Sequence, residues 1–199
     1  MITESAGRAS SAEGQRTTPW TAEMLRERLV ARYGCWERSQ GTAHDPASWF
    51  RILADALQAE AHSLDEGVAL ACFALAERLT ERTPEAEAAL ADVWARPVLE
   101  HFLETVTAAS LATPEDANAY FRELRHHFRD HAGIRGRCVM FPIRAALAGT
   151  MVGPCLGITA SLLGLERCRA RGGSFGGDAI EGLCSRGLQP HDSVAVCYA

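Results

Sequence analysis

The chain has 199 residues, 47% of them apolar, which is enough for one substantial core or two small subdomains and too apolar for disorder throughout. Its formal charge of −5 is unevenly spread: residues 1–119 hold ten Arg against nineteen acids (−9), residues 120–171 nine Arg against three (+6), and residues 172–199 one against three (−2). Only the middle block can attract a polyanion, and no apolar stretch approaches the roughly 20 residues of a membrane span, so a cytoplasmic protein without a membrane partner is expected.

All twenty basic residues are Arg and none is Lys. The seven cysteines (Cys35, Cys72, Cys138, Cys155, Cys168, Cys184, Cys197) form no C-x-x-C pair, so a zinc or redox site is not expected and most are read as thiols.

Residues 1–18 are rich in Ser, Thr, Gly and Ala without apolar periodicity, and read as a mobile leader lacking a signal-peptide segment. Thr21 then caps a helix whose Leu25, Leu29 and Tyr33 recur every fourth residue, with Gly34 as its stop. Asp45 and Pro46 open a second helix with Trp49, Ile52, Leu53, Ala56 and Leu57 on one face. Ser63 and Glu66 form a capping box for a third, whose Val68, Cys72, Leu75 and Leu79 share a side, and Cys72 is expected to be a small buried hydrophobe there.

Thr83 and Pro84 repeat the cap-then-proline signal, leading to Leu90, Val93 and Trp94, and Pro97 should break the pattern before Val98, Phe102 and Val106. Thr113 and Pro114 open a further helix with Tyr120, Phe121, Leu124 and Phe128 inward and Arg122, Arg125 and Arg129 elsewhere, ending near Gly133. No alternating strand pattern precedes it. The spacing therefore predicts an all-α array with two helical subdomains, residues 19–112 and 113–171. The tail, 172–199, carries Gly172, Gly173, Gly176 and Gly177 and then Val194, Val196 and Tyr198. Helix is disfavoured in it, leaving a flexible end or a short extended segment.

Residues 134–171 read IRGRCVMFPIRAALAGTMVGPCLGITASLLGLERCRAR. This run resembles the last third of the bacterial glutamyl-tRNA synthetase anticodon-binding domain: a basic Gly-containing loop, M-x-P-[LI]-R-x-A-[LV]-T-G, a Gly-Pro loop and a helix with L-L-G-x-E-R. Met140, Pro142, Ile143, Arg144, Ala146, Leu147, Gly149, Gly153, Pro154, Leu162, Leu163, Gly164, Glu166 and Arg167 stand in register. The resemblance extends more loosely back to about Trp20. It implies the helical cage of the class I glutamyl-tRNA synthetases, with the Rossmann catalytic domain and its H-I-G-H and K-M-S-K-S signatures absent from these residues, and hence no aminoacylation and no nucleotide cofactor.

By that resemblance Arg144, Gly153, Pro154 and Leu156 lie against RNA bases and Arg135 and Arg137 against phosphates, with tRNA, tRNA-Glu first, as the partner rather than DNA. The alternative for Arg144 is local pairing, with Gly-Pro merely ending an element. Two positions depart from the pattern: Ala148 replaces its threonine, and Gln58, Ala59, Glu60, Ala61 and His62 replace a basic segment, putting a carboxylate where the family has a cation. That substitution supports a second expectation, a cage reused as a cofactor-independent enzyme or small-molecule binder, with Arg144, His126, His127, Asp130 and Glu166 as its site. His127 and His131 share a helical face, but no third ligand accompanies them, so no metal is expected. A third expectation is a structural partner that docks on another protein.

Overall fold

The computed structural model describes residues 20–33, 42–76, 79 and 81–184, with 174–184 described in backbone alone. The leader at 1–18, the Gly34 stop and the last part of the tail, 185–199, lie outside the described residues. Those residues form α1 (Ala22–Tyr33), α2 (Pro46–Gln58), α3 (Leu64–Leu70), α4 (Cys72–Leu75), α5 (Pro84–Leu90), α6 (Ala95–Thr105), α7 (Pro114–Ala132), α8 (Arg137–Ala148) and α9 (Leu156–Cys184). A 3₁₀ turn at Ala109–Leu111 precedes α7, and no strand occurs among them. None of these helices is long and apolar enough to cross a membrane.

The starts follow local chemistry. The Asp45 carboxylate accepts from the Ala47 and Ser48 amides, and the hydroxyls of Ser63, Thr83 and Thr113 accept from Glu66, Ala86 and Asp116. Thr21 does the same for Met24. Glu66 closes its half of the capping box one residue early, accepting from the His62 amide at 2.8 Å. α7 stops where expected, because Gly133 adopts φ 67° and the Ile134 amide bonds back to the Phe128 carbonyl.

Two apolar clusters organise the helices. One joins Val98 and Phe102 of α6 and Val106 at its end to Phe121, Leu124 and Phe128 of α7, Ile143 and Leu147 of α8, and Leu163 and Cys168 of α9. The other gathers Trp20, Leu25, Leu29, Trp49, Leu53, Leu57 and Phe73, with Ala148 and Leu162 reaching in from α8 and α9. Thus α6, before the Thr113–Pro114 boundary, shares a core with α7, after it. The buried Trp49 indole donates to the Leu162 carbonyl at 2.9 Å, fastening α2 to α9.

Four expectations are corrected. Tyr33 is exposed, since a spacing of four drifts by about 40° per step and the third residue leaves the buried face. The third helix divides at Ala71 into α3 and α4; Phe73 and Ala74 turn inward and Cys72 is exposed, its thiol 2.8 Å from the Tyr33 hydroxyl. Pro97 breaks nothing: it sits in the first turn of α6, where no intrahelical amide bond is lost, and the break lies before Ala95. The tail is helical from Gly172 as far as Cys184, where α9 ends. Glycine costs a helix about 1 kcal/mol, and packing offsets it at Gly172, which is buried so close to α6 that a Cβ would lie 2.8 Å from Leu103.

Candidate nucleic-acid interface

The signature run folds as α8, a turn and the start of α9. Gly136 at φ 54° admits the chain to α8, and Gly149 at φ 70° ends it in the left-handed region. The Gly149 carbonyl accepts from the Thr83 amide at 2.9 Å, and a Cβ at Gly149 would meet the Glu81 carbonyl at 3.1 Å, so the end of α8 lies directly on the entry to α5. Ala148 is buried in the second cluster, so this departure from the pattern falls in a packed position.

Arg144, half-buried on α8, donates to the Pro154 carbonyl at 2.8 Å and the Gly153 carbonyl at 3.4 Å. It therefore pins the turn from α8 to α9 by its backbone, with Gly153 at φ 120° and Pro154 buried. A guanidinium has five N–H donors; two are spent here, and three have no protein acceptor among the described residues. Burial lowers the Arg144 pKa, while the nearby Cys155 and Glu60 favour its charged form. Glu60, just past α2, thus sits within electrostatic reach of the guanidinium. Beyond the turn, Asn118 of α7 packs so tightly on Gly157 that a Cβ there would lie 2.3 Å from its Oδ1.

Arg135 and Arg137 are exposed at the start of α8, with the Arg137 guanidinium 5.7 Å from the centre of the Phe141 ring. Leu156 is half-buried against the first cluster. The enzymatic candidates lie elsewhere. His126 and Asp130 are exposed on α7, and a hydrogen bond from Arg129 at 2.8 Å holds the Asp130 carboxyl below its usual range. Glu166 is exposed on α9. Among the described residues no hydrogen bond, ion pair or ring contact joins Arg144 to His126, His127, Asp130 or Glu166. His127 instead stacks on His131, with centroids 4.4 Å apart, and on His101 of α6 at 4.2 Å. His101 was not singled out from the sequence; its position three residues after Val98, on the same helical face, is the signal that was there to read.

Three arginines of the basic block are tied to carbonyls at the ends of other helices. Arg167 donates to the Ala74 carbonyl at 2.9 Å, Arg169 to that of Val106 at 3.2 Å, and the buried Arg171 to those of Leu147 and Ala76. These carbonyls lie at the C-terminal ends of α4, α6 and α8, where the last turn of a helix lacks internal donors and cations are favoured. Burial brings the Arg171 pKa down to about 10. The charge of +6 counted along residues 120–171 is therefore not one surface patch.

Residues 19–171 match the family model described as anticodon binding domain. Two solved structures are similar over 78% of this chain at 15% identity: the glutamate tRNA ligase of Elizabethkingia meningosepticum in complex with its amino acid, with a TM-score of 0.62, and the glutamate-tRNA synthetase of Elizabethkingia anophelis, with 0.56. The matched region covers 29% and 28% of those proteins, so this chain corresponds to less than a third of each. No curated protein matches significantly.

Proposed function

The chain belongs to the anticodon-binding domain family, and from that premise we propose that it binds tRNA, tRNA-Glu first, without aminoacylating it. The observation that carries this reading is the Arg144 clamp. It sets a rigid Gly-Pro turn beside a guanidinium that keeps three donors for an outside acceptor, a base edge or a phosphate oxygen. Exposed Arg135 and Arg137 add the salt-sensitive part of the affinity by displacing counterions from phosphates.

The test is filter binding of tRNA-Glu and an unrelated tRNA at two salt concentrations. Arg144→Ala is expected to weaken tRNA-Glu binding by about 1–3 kcal/mol, while Arg137→Ala reduces the salt slope by about one. Wild-type binding that is equal for both tRNAs and unchanged by Arg144→Ala refutes the proposal.

Glu60 beside Arg144 supports a second reading, a small-molecule binder or cofactor-independent enzyme, since the pair offers a carboxylate and a guanidinium to a ligand bearing both charges. On that reading Arg144→Ala removes ligand binding and leaves RNA affinity unchanged.

A further inference from the structure

Resting on the RNA-binding reading, we propose that the Phe141 ring, with the Arg137 guanidinium over it, is a stacking platform for an unpaired base of single-stranded RNA. Phe141 is 38% exposed on α8 and belongs to neither apolar cluster, although its neighbours Met140, Pro142 and Ile143 turn inward. Its apolar surface is left in water at a position that the core does not use.

Three features of its setting fit a nucleobase. The Arg137 guanidinium lies over the ring, 5.7 Å from its centre, and a planar delocalised cation held on an aromatic ring is itself a surface on which a base can stack. α8 contains no acidic residue, and Arg135 and Arg137 are exposed at its start, so this end of the helix complements a polyanion, while Glu60 lies within electrostatic reach of Arg144 further along. Arg137, Phe141 and Arg144 are spaced by four and three residues, which places them on one side of α8. Phe141 and Arg144 differ by about 4.5 Å along the axis, so a nucleotide stacked on the ring has its neighbour within reach of the Arg144 donors. Duplex RNA offers no unstacked face and gains nothing from the ring.

The experiment titrates the 199-residue chain with a labelled, unstructured single-stranded RNA of mixed sequence and with a blunt RNA duplex carrying as many phosphates. Wild type, Phe141→Leu and Phe141→Tyr are compared, and tRNA-Glu binding is measured alongside. Phe141→Leu, which keeps the apolar bulk and loses the π face, is expected to weaken single-strand binding roughly tenfold and leave duplex binding unchanged. Phe141→Tyr is expected to stay within about twofold of wild type. If wild type binds tRNA-Glu and Phe141→Leu holds the single strand equally well, the platform is refuted while the RNA-binding reading stands. If wild type binds none of the RNAs, both fall.

Discussion

Partial burial of His101 on α6 lowers its pKa from the usual 6.5; the proximity of His127 lowers it further, Glu104 opposes, and His131 adds a smaller push in the same direction as His127. The unfolded chain therefore takes up this proton first. The stability that His101 contributes is full above its unfolded pKa of about 6.5 and is lost as pH falls through that value toward the folded one. Wild type should lose more thermal stability between about pH 7 and pH 5 than His101→Phe, which keeps a ring against Phe128 without titrating. Equal losses in melting temperature would show that His101 does not titrate as described. Nothing in the spacing of His127 and His131 along α7 could reveal this, because the third ring comes from another helix.

At the scale of elements, the close approach of α9 to α6 separates two adjacent glycines. Gly172→Ala puts a Cβ 2.8 Å from the Cδ2 of Leu103, a half-buried side chain that must shift to admit it, and is expected to forfeit the gain in helix propensity, leaving it about 1 kcal/mol less stable than Gly173→Ala. Gly173→Ala points into open, exposed space and should stabilise it by about 0.5–1 kcal/mol. Urea denaturation of the two variants checks the pair; equal effects would mean that α9 does not pack there as described. The same contrast marks what was legible in the chain. The caps at Thr21, Asp45, Ser63, Thr83, Thr113 and Gly133 act within a few residues, and all were readable. The break at Ala71 and the helical course beyond Gly172 carry no such local mark, since glycine looks like a helix breaker until the partner it admits is known.

For the molecule as a whole, the described residues hold two apolar clusters threaded by α8 and α9, with the signature turn between these two helices. The purified 199-residue chain is expected to give no glutamate-dependent pyrophosphate exchange, since it spans less than a third of the synthetases it resembles. Exchange by a preparation free of host synthetase would overturn that. The order of motif elements around Arg144 was readable because a family signature is a linear pattern. Local pairing of Arg144 was one of the two readings open there, but its partners, the Gly153 and Pro154 carbonyls, were not legible, because nothing in a sequence says which carbonyl a guanidinium meets. The same holds for Arg167, Arg169 and Arg171, and it bears on how such a chain drifts. Replacing any of the three by lysine would conserve every count of charge yet exchange a planar fork for a single ammonium point at the end of a neighbouring helix. Relatives that made the exchange would look electrostatically identical while differing in how firmly their helices are joined. Along residues 167–171, arginine is a record of assembly before it is a measure of attraction to nucleic acid.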